Sequence, residues 1–144
     1  MDVELGTLVT RVDTSRRAVT LADGTDVEYG RLVLATGASP RPLGVAGEHL
    51  EGVHTYRTLD DAAAVRAAAE KAASVVVVGA GFIGMETAAS LRRRGLEVTL
   101  VEPSDGLFAS LQAPPVSRSL EQLYRDRGVD VLLGDSIGEF RGAY

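Results

Sequence analysis

Along this chain the spacing of apolar positions shifts between strand-like alternation and helical periodicity, and each shift marks an element. Residues 7–12 alternate apolar and polar, a polar turn follows at 14–17, and 18–21 resume the strand pattern. Asp23-Gly24 is a hairpin signal because glycine tolerates positive φ, and 25–29 form a third strand. No helical segment separates these strands, so the spacing predicts an antiparallel meander. Residues 32–35 read as a short fourth strand, 36–52 as a loop rich in glycine and proline, and 53–56 as a short linking strand. Thr58 is a candidate N-cap with Asp60 and Asp61 behind it. Leu59, Ala62, Val65, Ala69 and Ala72 recur at helical spacing, predicting a helix to Ala73.

The next segment carries the most information. Residues 75–78 are an unbroken valine run, apolar on both faces, as expected of a buried parallel strand. They lead into Gly79-Ala80-Gly81-Phe82-Ile83-Gly84, a helical stretch, and a second strand at 96–101 that ends on Glu102. This is the layout of a dinucleotide-binding βαβ unit. The first glycine permits a tight turn, the second leaves room for a pyrophosphate, and the third lets helix and strand sit close. Free N–H groups at the helix start face the anion. Glu102 follows Gly84 by 18 residues, near the spacing of an acid that accepts hydrogen bonds from ribose hydroxyls. The competing reading is a glycine turn that serves packing and a glutamate exposed at a strand end. No Arg or Lys follows Glu102 until Arg118, so no cation nearby is placed to hold a 2′-phosphate, and NADH is expected over NADPH. Beyond this unit, Pro114-Pro115 opens a helix with a buried stripe of Val116, Leu120 and Leu123, and Gly128 ends it. Residues 129–133 form a further strand and 137–140 begin another.

Composition narrows the partners. At 144 residues, 45% hydrophobic and 24% charged, the chain has the length and content of one ordinary domain. A net charge of −5 argues against nucleic acid or an anionic membrane as the main partner. No apolar run reaches membrane-spanning length, and the first residues do not form a signal peptide. The absence of cysteine rules out disulfides, thiolate metal sites and a redox cysteine pair within the chain, and fits a cytoplasmic location. His49 and His54 stand apart with no second ligand at metal spacing. Arg92, Arg93 and Arg94 read as a solvated cluster complementing a helix C-terminus.

Leu32-Val33-Leu34-Ala35-Thr36-Gly37-Ala38 and Gly81-Phe82-Ile83-Gly84-Met85-Glu86 point further, together with the segment from Gly52 to Asp61 between them. With these motifs the chain resembles FAD-dependent pyridine nucleotide–disulfide oxidoreductases, most closely the ferredoxin and rubredoxin reductase branch that lacks a redox disulfide. The resemblance runs from about Leu5 to about Leu133. It implies an α/β protein with a Rossmann-like parallel βαβ domain preceded by an antiparallel β meander. Residues 1–52 would be the tail of an FAD-binding domain, and 53–144 an NAD(H)-binding domain incomplete at its C-terminus. In that picture Thr36 and Gly37 contact flavin in the intact enzyme, and Glu86 lies near the nicotinamide. Phe82 and Ile83 line the nicotinamide floor. The bland alternative for Glu86 is an acid that compensates the helix dipole.

The implied activity takes hydride from NADH onto FAD and passes electrons to an iron–sulfur protein of ferredoxin or rubredoxin type. The cofactors supply that chemistry, so no catalytic side chain is expected here. Two other readings stand beside it: a flavin-free NAD(H)-binding module without turnover, and an incomplete piece held together by self-association. The chain opens in a meander and closes as a strand starts, which reads as a segment of a longer protein. The meander is expected to dock on the nucleotide sheet, within one chain or swapped in a homo-oligomer.

Overall fold

A computed structural model describes residues 2–142. Met1, Ala143 and Tyr144, where the sequence-based domain limits fall, lie outside the described residues. Two units are distinguished, Met1–Ala38 and Ser39–Tyr144.

The first unit is the expected meander: β1 (Val9–Asp13), β2 (Ala18–Leu21) and β3 (Asp26–Glu28), antiparallel in the order β1-β2-β3. Its turns are built by aspartates. One Asp13 carboxylate oxygen accepts from the Ser15 and Arg16 N–H groups at 3.1 and 3.0 Å, which shapes the β1–β2 turn. At the second turn Asp23 accepts from the Thr25 N–H at 2.9 Å, and Gly24 takes the positive φ of 86° that the hairpin needs. The fourth strand expected at 32–35 is not formed. No ladder partner reaches it among the described residues, and Val33 is 84% exposed. An apolar run alone cannot make a strand, because its N–H and C=O groups need a neighbour.

In the second unit, α1 (Leu59–Ala69) starts at Thr58 with a full capping box. The Thr58 side chain accepts from the Asp61 N–H at 3.1 Å, and Asp61 accepts from the Thr58 N–H at 2.8 Å. The helix ends four residues earlier than the periodicity suggests. The Ala73 carbonyl accepts from the Glu97 N–H at 2.9 Å, so this backbone already belongs to the sheet. The α1 stripe is mostly alanine and buries nothing fully, with Leu59 85% exposed. Residues 53–56 form no strand, and 137–140 contribute only an isolated bridge from Glu139 to Ala46.

The core sits under the parallel sheet of β4 (Ser74–Val78), β5 (Glu97–Glu102) and β6 (Val129–Leu133), in the order β4-β5-β6. Register places Val75, Val98 and Val129 in one cross-sheet row and Val77, Leu100 and Val131 in the next. Met85, Ala88 and Leu91 of α2 (Phe82–Arg93) close over these rows. Burying a side chain such as Leu100 contributes about 2 kcal/mol. The other face is less covered than the valine run implied. β4 is an edge strand, and Val76 is 55% exposed.

The last helix, α3 (Pro114–Asp126), begins with Pro114 at its first position, as expected. Its buried stripe is rotated, however. Leu120 and Tyr124 pack on the core, while Val116 and Leu123 are exposed. Tyr124 supplies the reason: its hydroxyl donates to the Met85 carbonyl at 2.9 Å, which draws that face of α3 onto α2.

Arg92 is a second tie between these helices and corrects the reading of 92–94 as wholly solvated. Its guanidinium donates to the Arg127 and Leu96 carbonyls, both at 3.0 Å, joining the ends of α2 and α3 to the start of β5. Arg93 and Arg94 are exposed. Gly128 has φ 78°, and a Cβ there would lie 2.7 Å from Arg92 Nη2. Arg92→Met is therefore expected to cost about 2 kcal/mol in chemical denaturation. Gly128→Ala also destabilises. The double variant loses less than the sum of the two, because the clash partner is gone.

Candidate functional site

The site is built where β4 turns into α2. Gly79 adopts φ 96°, and its N–H donates to the Val101 carbonyl at 2.8 Å, which carries the parallel ladder one residue into the turn. Gly81 is the N-cap of α2 in extended conformation, with no side-chain cap. The N–H groups of Gly81, Phe82 and Ile83 find no backbone partner among the described residues. A Cβ built on Gly81 would meet nothing within 4 Å, so the space at its α-carbon is open. Gly84 is the opposite case. A Cβ there would collide with the Gly79 carbonyl oxygen, so only glycine lets the helix cross its own turn at this distance. Gly79 thus makes the turn, Gly81 leaves open space at its α-carbon, and Gly84 permits the close crossing.

Glu102, at the end of β5, is held at the turn's edge. One carboxylate oxygen accepts from the Ala80 N–H at 2.6 Å, and the other from the Ser104 N–H at 3.0 Å. Burial pushes its pKa up, but the N–H groups of Ala80 and Ser104 and the Ser104 hydroxyl outweigh this and hold it below the ordinary glutamate value. Glu102 is therefore ionised at neutral pH. A carboxylate has about four acceptor positions, so capacity remains for a vicinal diol. Its carboxylate is thus tied to the turn by two backbone N–H groups.

Glu86 lies past the first turn of α2, which contains no acid, and its side chain is exposed. The dipole-compensating reading is weakened by that position. Its charge is felt by Tyr124, whose phenol is raised above its usual pKa by burial first and by Glu86 second. Phe82 is 63% exposed, and Ile83 is exposed beside it. Thr36 and Gly37 belong to the first unit, where Gly37 takes φ 76°. Gly79, Gly81, Phe82, Ile83, Gly84, Glu86 and Glu102 all belong to the second unit.

Three partners escaped the sequence reading. The Ala80 and Ser104 N–H groups act through backbone, which leaves no signature in side-chain type. Phe108 sits in an irregular loop. Its N–H donates to the Ala80 carbonyl at 3.0 Å, and its ring lies 4.7 Å from that of Phe82, tilted by 58°. The histidines stay apart from this site, and the described residues contain no cluster of His, Cys, Asp or Glu suited to a metal.

The pyridine nucleotide-disulphide oxidoreductase family profile matches residues 1–143. The chain belongs to that family. Its similarity is to the ferredoxin reductase branch. It is 43% identical over 136 residues to the ferredoxin–NAD(P)+ reductase of a Sphingomonas species, covering 94% of this chain and 33% of that protein. It is 39% identical over 138 residues to putidaredoxin reductase of Pseudomonas putida, with coverage of 94% and 33%. Among solved structures, a ferredoxin reductase from Rhodopseudomonas palustris superimposes with a TM-score of 0.81 at 37% identity, over 96% of this chain and 34% of that one. The chain therefore spans about a third of the length of these relatives. The neighbours share the α/β fold, which contains a three-stranded antiparallel sheet and a parallel βαβ sheet. No helix among the described residues is long and apolar enough to cross a membrane.

Proposed function

We propose that this chain is the NAD(H)-binding segment of an FAD-dependent NAD(P)H oxidoreductase of the ferredoxin reductase type. Residues 53–144 form its nucleotide domain, and 1–52 the tail of its flavin domain. The observation that carries the reading is the glycine turn. N–H groups without backbone partners cluster at Gly81, whose α-carbon borders open space, Gly84 is sterically obligatory, and an ionised Glu102 accepts from the Ala80 N–H. Gly79, Gly81 and Gly84 admit the pyrophosphate, Glu102 takes the ribose diol, and Phe82, Ile83 and Glu86 border the nicotinamide. Thr36 and Gly37 contribute to the flavin side. When bound, NADH supplies a hydride to FAD, which releases electrons singly to an iron–sulfur protein. This chain's residues bind and orient the nucleotide. Similarity to a ferredoxin–NAD(P)+ reductase and to the reductase of a covalent putidaredoxin reductase–putidaredoxin complex supports such an acceptor.

NADH is the expected donor. Related solved structures include a water-forming oxidase bound to NADH and an engineered form bound to NADPH, so the fold accommodates either and side chains decide. Here the loop after Glu102 lacks a cation, and an ionised carboxylate repels a 2′-phosphate. The second reading, a flavin-free NAD(H) module, is favoured for the chain alone by one observation: 32–35 form no strand and stand exposed. Flavin absorbance of the purified chain, followed by parallel NADH and NADPH titrations, tests both readings. Saturable NADH binding at least tenfold tighter than NADPH is expected. A preference for NADPH would refute the donor assignment, and bound flavin would refute the second reading.

A further inference from the structure

Phe108 is the least comfortable residue at the site. It has φ 52°, in the left-handed region that suits glycine or asparagine and strains a bulky side chain. Three features hold it there. Leu107 beside it is fully buried, its own N–H donates to the Ala80 carbonyl, and its ring packs on Phe82. Ala80 is held on its other side as well, since its N–H donates to Glu102. The partner ring, Phe82, follows the open Gly81 and is otherwise largely in solvent. An exposed phenylalanine samples several rotamers, and a ligand that stacks on it must bear the cost of ordering it. A neighbouring ring at edge-to-face distance removes that cost in advance.

We propose that Phe108 is a positioning residue: it fixes the Phe82 ring so that the nicotinamide half of NADH meets a pre-ordered surface. This rests on the nucleotide reading above and adds to it a residue outside the glycine motif. The strained backbone fits the role, because a less strained conformation would move the ring off Phe82.

The test compares NADH with ADP-ribose, which has the pyrophosphate and adenosine but no nicotinamide. Phe108→Leu keeps the Phe108 N–H and an apolar side chain but loses the ring. It should weaken NADH binding about fivefold and leave ADP-ribose binding unchanged, while Phe108→Tyr should retain wild-type affinity for both. Equal weakening of both ligands would make Phe108 a simple support of the turn and overturn the proposal, as would no change for either. Wild type that binds ADP-ribose but gains nothing from the nicotinamide would overturn it while leaving the nucleotide site standing. Wild type that binds neither would refute the nucleotide reading itself. If Phe108→Leu does not fold, Phe108→Met, closer in volume and likewise without a ring, takes its place, with the same split expected between the ligands and the same outcomes overturning the proposal.

Discussion

Gly84→Ala is expected to abolish NADH binding and to destabilise the second unit by about 3 kcal/mol, whereas Gly81→Ala is expected to abolish binding and leave stability nearly unchanged. The two variants add the same methyl group to the same motif three residues apart. At Gly84 the methyl collides with the Gly79 carbonyl oxygen, a backbone atom fixed by the ladder bond from the Gly79 N–H to Val101. Relief requires the whole of α2 to move off β4, disturbing Met85, Ala88 and Leu91 in the core. At Gly81 the methyl meets nothing, and φ is −81°, which alanine accepts. It fills instead the space in which a pyrophosphate would approach. Denaturant melts beside NADH titrations of both variants check the contrast. Similar stability losses in the two would mean that the open space at Gly81 has been misread.

The second large effect concerns Glu102. Replacing it with glutamine removes the charge that two backbone N–H groups share and turns an NH2 group toward one of them. The expected cost is about 2 kcal/mol, together with a marked loss of NADH affinity. Acid should mimic the substitution. The carboxyl's pKa in the folded chain lies below its unfolded value, near 4.5, so its contribution is fully present above that value. It is lost as pH falls through the lower folded pKa. Wild type and Glu102→Gln should therefore differ most in stability at neutral pH and converge on acidification below 4.5. A difference that stays constant through that range would show that the carboxylate's charge is not what holds the turn.

These effects bear on what the sequence could reveal. The βαβ unit was legible because its signals are local: a valine run, three glycines at fixed spacing, helical periodicity and a terminal acid. The capping box at Thr58 was half visible, in the cap and the acids behind it. What escaped depended on partners remote in sequence. Residues 32–35 look like a strand, but a strand is a property of two segments, and none pairs with this one among the described residues. The α3 stripe was misplaced by one position because Tyr124 finds an acceptor on α2 at Met85, and the sequence does not say where that carbonyl lies. Glu102 was singled out for its ligand, while its hold on the Ala80 peptide came to light only in the fold. Phe108 carried no signal, since an aromatic residue is not expected at positive φ.

If the space beside Gly81 is a nucleotide site, filling it must abolish binding. Calorimetric titration of NADH into the 144-residue chain and its Gly81→Ala variant, both confirmed as folded by their melts, tests it most directly. The account predicts saturable one-to-one binding by the wild type and none by the variant. Equal binding by both, or none by a folded wild type, would contradict it.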